Sequence, residues 1–189
     1  MRRPLCLEDN AGRISVVKET LELINRMRDD GVIGDYAIGG AVGAMLYLEP
    51  SATLDVDVFV ALPTLASGLV SLAPIYEYLR ARGCVEKEEH IVIGDWPVQF
   101  ISPKDELERE AVAMAEPAEL DGTQTRIMPA EHLVAIALQT GRLKDDARIV
   151  QFLEQDAVDR KKLETVVQKF GLTSKWDQFK RRYLEGARG

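Results

Sequence analysis

Apolar residues recur at spacings of three and four near the start of the chain, which predicts an amphipathic helix over residues 10–30. Beyond it, alternation of apolar and polar positions predicts strands. The predicted strands are residues 35–38, 54–62, 85–93 and 96–101, followed by a hairpin at 119–128 around Asp121-Gly122. Helical spacing returns between the strands and predicts helices at residues 41–48, 65–82 and 104–115.

From Pro129 onward the pattern is helical. Pro129 suits a first helical position, and Gly141 and Gly171 suit the C-terminal ends of helices. The predicted helices are residues 130–140, 143–155, 160–170 and 174–185. The sequence therefore predicts an α/β (α+β) fold, in which a mixed β-sheet is flanked by helices. Residues 1–128 would form the core, and residues 129–189 would form a C-terminal helical region packed on it.

Composition narrows the class of protein. The 189 residues are 46% hydrophobic and 29% charged, which are ordinary values for a globular protein. No segment reaches the roughly 18 to 20 apolar residues that a membrane span needs, and the first residues lack the apolar segment of a secretory signal. We therefore expect a cytoplasmic protein whose two cysteines are free thiols.

The overall charge limits the binding partners. The formal net charge is −7, and an acidic surface repels the phosphates of nucleic acids. Broad binding to DNA or RNA is therefore not expected, although a local basic pocket for a single nucleotide is compatible with this charge.

Residues 39–60 hold two features that suit one another chemically. A Gly39-Gly40 turn lies between a predicted strand and a helix, and such a turn lets phosphate approach the helix N-terminus. Asp55 and Asp57 are two apart on the next strand, so both carboxylates face one way and can reach one hard cation such as Mg²⁺. Each feature also has an ordinary interpretation, as a tight turn and as a solvated strand edge.

The order of strand, Gly-Gly turn, short helix and Thr53-x-Asp55-x-Asp57 resembles the polymerase-beta-type nucleotidyltransferase superfamily. Within it, the chain is most similar to small bacterial groups related to abortive-infection and toxin–antitoxin nucleotidyltransferases. The motif covers residues 39–60, and the order of elements extends the resemblance to about residue 130. The resemblance implies a nucleotidyltransferase-like fold.

The resemblance also implies roles for individual residues. Gly39, Gly40 and Thr53 would bind the nucleotide, with its phosphates on the glycine turn. Asp55 and Asp57 would be the catalytic acids and would bind two Mg²⁺ ions. In the family, a third acid on a later strand completes one metal site and helps to activate the acceptor hydroxyl, which attacks the α-phosphate and releases pyrophosphate.

Two positions depart from the family pattern. Gln99 stands where the third acid is expected, and its amide oxygen can ligate a metal but cannot act as a base. One of the two metal sites is therefore expected to be weakened. Asp95 is a nearby carboxylate that would have to substitute from a different phase of the strand. Ser51 stands where many relatives have an arginine that contacts phosphate or supports the structure.

A basic segment follows the first C-terminal helix. In relatives, a lysine on a helix after the core reaches the triphosphate, and Lys144 is the candidate, with Arg142 and Arg148 behind it. The alternative interpretation is an ordinary helix start, in which these cations form salt bridges with Asp145 and Asp146. Both interpretations stay open from the sequence.

Three functions are consistent with these residues. The first is a metal-dependent nucleotidyltransferase that moves a nucleoside monophosphate from a nucleoside triphosphate to a hydroxyl of a small molecule, a protein or an RNA end. The second, favoured by Gln99, is a degenerate module that binds a nucleotide or a partner protein without turnover. The third is a toxin–antitoxin or phage-defence component that acts through a partner chain. The helical tail would be either a substrate-selecting module or a homodimer surface.

Overall fold

The structure is a computed structural model that describes residues 11–48, 56–62 and 71–185. Its strands are β1 (Tyr36–Ile38), β2 (Val56–Val60), β3 (Val85–Lys87), β4 (His90–Ile93), β5 (Trp96–Ile101), β6 (Glu116–Leu120) and β7 (Thr123–Ile127). Its helices are α1 (Ala11–Asp29), α2 (Gly40–Ala44), α3 (Ala73–Arg80), α4 (Glu106–Ala113), α5 (Ala130–Thr140), α6 (Leu143–Glu154), α7 (Arg160–Lys169) and α8 (Thr173–Lys180), with a π-helical turn at Arg181–Glu185.

Within the described ranges, the strands form one seven-stranded sheet in the order β3-β4-β5-β2-β1-β7-β6. β2 lies at its centre, antiparallel to β1 and parallel to β5, and β1 is parallel to β7. The remaining neighbours are antiparallel hairpins. This mixed sheet with flanking helices confirms the predicted fold class.

One face of the sheet packs against α1 and α3. The predicted apolar stripe of α1 is buried, with Leu21, Ile24 and Met27 fully inaccessible. They share a core with alternate residues of β2, Val58 and Val60 among them. The period-two alternation of β2 therefore predicts correctly which of its residues lie on this face of the sheet.

The other face packs against α4 and the C-terminal helices. Phe59, which points away from the valines of β2, lies in the same core as Leu133 of α5 and Phe152 of α6. Tyr47, just after α2, donates a hydrogen bond to the Met128 carbonyl at 3.0 Å, and its ring lies 6.0 Å from that of Phe152. The C-terminal helices thus bury their apolar faces on the sheet.

The helical tail could form a homodimer surface through six apolar residues, Phe152, Leu153, Leu163, Val166, Val167 and Phe170. Four of them lie within this core, and Val166 and Phe170 pack against it while partly exposed. Phe152, Leu153, Leu163 and Val167 are each no more than 4% exposed, so α6 and α7 use them for intramolecular packing.

Glycine and aspartate turns lie where the sequence predicts them. Asp121 and Gly122 both have positive φ, 51° and 71°, as a two-residue hairpin turn matched to the twist of β6 and β7 requires. Gly141 ends α5 in the left-handed conformation with φ 71°.

Two predicted elements are wrong in their extent. The strand predicted over residues 85–93 is two strands, because Glu88 adopts φ 56° and the chain reverses between Lys87 and His90. Of the helix predicted over residues 65–82, the described part is helical over Ala73–Arg80, and the Ala73 N–H donates a hydrogen bond to the Ser71 hydroxyl at 3.1 Å. Residues 65–70 of that prediction lie outside the described ranges.

No helix among the described residues is long and apolar enough to span a bilayer.

The last described turn contacts the start of α6, because the Tyr183 hydroxyl donates a hydrogen bond to Asp146 at 2.9 Å.

Removing the Phe152 side chain tests whether the C-terminal helices unfold together with the sheet. Phe152 is 1% exposed, so Phe152→Ala should cost about 3–5 kcal/mol and lower the melting temperature by roughly 10 °C or more, in one transition. Gln151→Ala, on the exposed face of α6, is the matched control and should change little. Two separate transitions in calorimetry, with only one of them shifted, would contradict a shared core.

An ion pair between α4 and α7 makes stability depend on pH. The hydrogen bond from Lys169 holds the pKa of the Glu110 carboxyl below its usual range, with a smaller contribution from His132 and against the opposing effect of partial burial. A depressed folded-state pKa stabilises the protein above the unfolded pKa of about 4.3, and this stability is lost as the pH falls through the folded value.

Glu110→Gln should therefore lower the melting temperature at pH 7, by the equivalent of at most about 1 kcal/mol because the pair is partly exposed. The difference from wild type should shrink towards pH 3 in a series of thermal melts. Glu164→Gln, an exposed position on α7, is the control. A difference that stays constant between pH 7 and pH 3 would rule out this linkage.

Candidate functional site

A cavity of about 300 Å³ lies beside the central strands, between the face of β2 and β5 and the helices α4, α5 and α6. Polar and charged side chains make up much of its wall, and an apolar set lies beside them. The polar and charged lining residues are Asp57, Gln99, Ser102, Lys104, Glu108, Thr140, Arg142, Lys144, Asp145 and Arg148. The apolar ones are Phe59, Ile101, Met128, Leu133, Ile136 and Ala137.

Asp57 and Gln99 are neighbours on the sheet. They are direct partners in the parallel register of β2 and β5, so their side chains leave the same face on strands about 4.8 Å apart. Both are partly exposed and both line the cavity. Gln99 therefore occupies the position from which a side chain can share a ligand with Asp57.

The Gly39-Gly40 turn lies directly against β2. A Cβ atom on Gly40 would lie 1.9 Å from Asp57 Oδ2, and one on Gly39 would lie 2.7 Å from the Phe59 ring. Gly40 also has φ 55°, a conformation that favours glycine. Both positions therefore require glycine, because the turn packs closely on the side chains of Asp57 and Phe59. The sequence interpretation explained the two glycines only by the approach of a ligand.

The same turn brings a helix N-terminus to the cavity wall. Gly39 is the N-cap of α2, and its N–H donates to the Asp57 carbonyl at 2.9 Å. The first N–H groups of a helix have no partner within the helix and carry partial positive charge. Since Gly40 lines the cavity, this end of α2 adds positive potential next to the Asp57 carboxylate.

Lys144 lies on the first turn of α6 and lines the same cavity as Asp57 and Gly40. Its side chain is exposed, and within the described part of the chain it forms no ion pair. The salt bridges of this turn are instead made by Arg142 and Arg148, both to Asp145. The ordinary helix-start interpretation therefore describes the arginines but not Lys144.

Two buried carboxylates of the cavity wall were missed by sequence reasoning. Glu108 is 3% exposed; it accepts the Lys104 backbone N–H at 2.9 Å and pairs with the Lys104 ammonium at 3.1 Å. Asp145 is 1% exposed. The spacing of Asp105 and Glu108 resembles the helix-start signal of a capping box. That signal predicts where a helix begins, and it does not predict a place in a cavity.

Thr53 and Asp55, together with Ser51, lie outside the described residues. Asp95 is described, and it does not lie in the cavity. It is exposed in the β4–β5 turn, at the opposite end of β5 from Gln99, about 13 Å away at roughly 3.3 Å per residue. Asp95 therefore cannot substitute for the missing acid.

The donor chemistry of the cavity suits a hard cation. The Asp57 carboxylate and the Gln99 amide supply oxygen ligands of the kind that Mg²⁺ prefers. Over residues 11–48, 56–62 and 71–185, no group of three or more His, Cys, Asp or Glu side chains is arranged to hold a metal ion. A complete ligand set would therefore need a further donor, and Asp55 is the one that the sequence predicts.

No family model and no curated protein matches this sequence. Solved structures do match over most of the chain. One is an antigenic nucleotidyltransferase-like protein from Paracoccidioides brasiliensis, with 15% sequence identity and a TM-score of 0.54, covering 85% of this chain and 92% of that chain.

A second match is the solution structure of the antibiotic-resistance factor ANT(2'')-Ia, with 14% identity, a TM-score of 0.51, and coverage of 92% of this chain and 98% of that chain. A third is the crystal structure of ANT(2'')-Ia in complex with adenylyl-2''-tobramycin, with 14% identity, a TM-score of 0.50, and coverage of 91% and 99%. At this identity the likeness is one of fold, and the chain therefore has the fold of nucleotidyltransferase-like proteins.

Proposed function

We propose that this chain is a metal-dependent nucleotidyltransferase that moves a nucleoside monophosphate from a nucleoside triphosphate to a hydroxyl acceptor. The observation that carries the proposal is the meeting of Gly40, Asp57 and Lys144 in one cavity, although they come from three separate segments of the chain. The nucleotidyltransferase-like fold around that cavity supports the same function.

Each residue then has a role set by its chemistry. The N-terminal end of α2 at Gly39-Gly40 would meet the phosphates with its N–H groups. The ammonium of Lys144 would offset part of the triphosphate charge. Asp55, Asp57 and Gln99 would hold Mg²⁺, which supplies charge stabilisation to the transferring phosphoryl group when bound. Thr53 would bind the nucleotide next to the two acids.

The reaction is a displacement at phosphorus. The acceptor oxygen would form a bond to the α-phosphorus, the bond to the pyrophosphate oxygen would break, and the proton of the acceptor hydroxyl would pass to solvent water. Gln99 cannot take this proton, since an amide is not a base at neutral pH. The protein would therefore bind and orient the triphosphate well, but it would activate the acceptor weakly.

One observation favours a second function. The residue paired with Asp57 across β2 and β5 is Gln99 rather than an acid. A catalytically degenerate module, which binds a nucleotide or a partner protein without turnover, would keep the cavity and lose the base. Transfer of label from an α-labelled nucleoside triphosphate to a defined acceptor separates the two, because only the enzyme performs it.

The finer predictions from the sequence stay proposals. They are a cytoplasmic bacterial protein, an acceptor that is a small molecule, a protein or an RNA end, a homodimer or a partner protein, and a role in toxin–antitoxin or phage-defence systems. Co-purification of a defined partner chain from the native host would support the last of these.

Nucleotide binding should depend on both Mg²⁺ and Asp57. A nucleoside triphosphate at about 100 times its dissociation constant stabilises a protein by roughly 2.7 kcal/mol, or about 5–10 °C at this size. We expect this melting shift in wild type with Mg²⁺ for at least one of the four nucleotides, and its loss in Asp57→Asn. The isosteric amide removes one charged metal ligand and little volume.

Asp95→Asn is the matched control, because it removes a carboxylate from the distant end of β5 and should leave the shift intact. An equal shift in Asp57→Asn, or none with any nucleotide in wild type, would refute the proposed function.

Gly40→Ala should remove nucleotide binding and cost more stability than the backbone strain alone. Its Cβ would meet Asp57 Oδ2 at 1.9 Å and push the turn and the carboxylate apart. Gly83→Ala is the control, since Gly83 also has positive φ, 82°, but has no neighbouring atom within 4 Å. If thermal melts with and without nucleotide show equal losses for both variants, the close packing of Gly40 on Asp57 does not matter for binding.

A further inference from the structure

Asp145 is a buried carboxylate at the start of α6, on the wall of the candidate site. Its side chain is 2% exposed. The guanidinium of Arg142 donates to both carboxylate oxygens, from Nε at 2.7 Å and from Nη2 at 3.2 Å. Nη1 of Arg148 lies 3.6 Å from Oδ1. One acid thus contacts two arginines, and all three residues line the cavity.

The arrangement needs a physical reason, because burying a carboxylate is costly unless it is paired and hydrogen-bonded. The charged partners of the Asp145 carboxylate are the guanidinium groups of Arg142 and Arg148, both in the cavity wall. A guanidinium has five N–H donors in a fixed planar fork, so a carboxylate can fix its orientation without engaging all of them. Asp145 is therefore placed to orient the arginines.

The positive charge of this part of the cavity wall indicates which class of ligand the oriented arginines would bind. Arg142, Lys144 and Arg148 place three cations around one buried acid, in a protein whose formal net charge is −7. This local excess of positive charge suits a compact polyanion. Planar, bidentate donors suit phosphate oxygens in particular.

We propose that Asp145 is a positioning residue, which holds Arg142 and Arg148 against the cavity as a clamp for a polyphosphate chain. The clamp makes the site select for the number of phosphates, so that a triphosphate binds and a single phosphate does not bind well. This inference rests on the proposed function for the identity of the natural ligand, a nucleoside triphosphate. The clamp itself can be tested with inorganic polyphosphate.

A purely structural role predicts something different. Asp145 also accepts the backbone N–H of Arg142 at 3.3 Å, so it caps α6, and its loss should lower stability whatever the cavity binds. Stability therefore cannot separate the two roles. The ratio of affinities for a long and a short phosphate chain separates them when it is measured with and without the two arginines, because an effect of the lost cap on Lys144 persists after the arginines are removed.

The experiment is isothermal titration of the whole protein with inorganic tripolyphosphate and with orthophosphate. Wild type should prefer tripolyphosphate, and Asp145→Asn should lose about ten-fold in that preference, the equivalent of one charge-assisted hydrogen bond. Asp159→Asn is the control: Asp159 caps α7 through the N–H groups of Lys161 and Lys162, away from this cavity. It should lower stability and leave the preference unchanged.

A double-mutant cycle shows whether Asp145 acts through the arginines. In an Arg142→Ala, Arg148→Ala background, Asp145→Asn should have no further effect on tripolyphosphate affinity. The same loss in both backgrounds would overturn the proposal, as would an unchanged preference in Asp145→Asn or no preference in wild type. If nucleotides fail to bind while tripolyphosphate binds through Asp145, the proposed function fails and the clamp stands.

Discussion

The close packing of the Gly39-Gly40 turn on the side chains of β2 determines where the cavity lies. Because neither glycine has a side chain, the start of α2 can lie against Phe59 and the Asp57 carboxylate. Asp57 is at the same time fixed in register with Gln99 by the parallel pairing of β2 and β5. One wall of the site is therefore built by backbone hydrogen bonds and steric fit, before any ligand is involved.

The C-terminal helices build the cavity wall that faces the sheet. They bury apolar faces on the sheet through residues such as Phe152, and in doing so they bring the cationic first turn of α6 to the cavity. Tyr183, in the last described turn, holds that first turn through Asp146. The position of the cations thus depends on packing far along the chain from the glycine turn.

Periodic features of the fold could be predicted from the sequence, because they depend on local pattern. The stripe of α1, the alternation of β2 and the Asp121-Gly122 turn each follow from spacing or backbone preference. The split of residues 85–93 into two strands could not be predicted in this way, since it depends on Glu88 taking a positive φ that glutamate rarely adopts.

The candidate site was predictable to the extent that the family resemblance assigned roles to residues that lie far apart in sequence. Gly40, Asp57, Gln99 and Lys144 all line the cavity. Asp145 and Glu108 were missed as buried members of its wall, because a carboxylate near a helix start is usually a solvated cap. Only the tertiary packing of α4, α5 and α6 encloses them.

Gln99 has a consequence for the protein without a bound ion. An acid at this position would place two carboxylates about 5 Å apart on adjacent strands, and each would raise the free energy of ionising the other. The two carboxylates of such a pair would repel each other whenever no cation is bound, and this repulsion would act between the two central strands. With an amide beside Asp57, this repulsion between β2 and β5 is absent. The pairing of β2 with β5 therefore does not need a cation to offset a cross-strand repulsion, and the site attracts a cation less strongly than a pair of acids would.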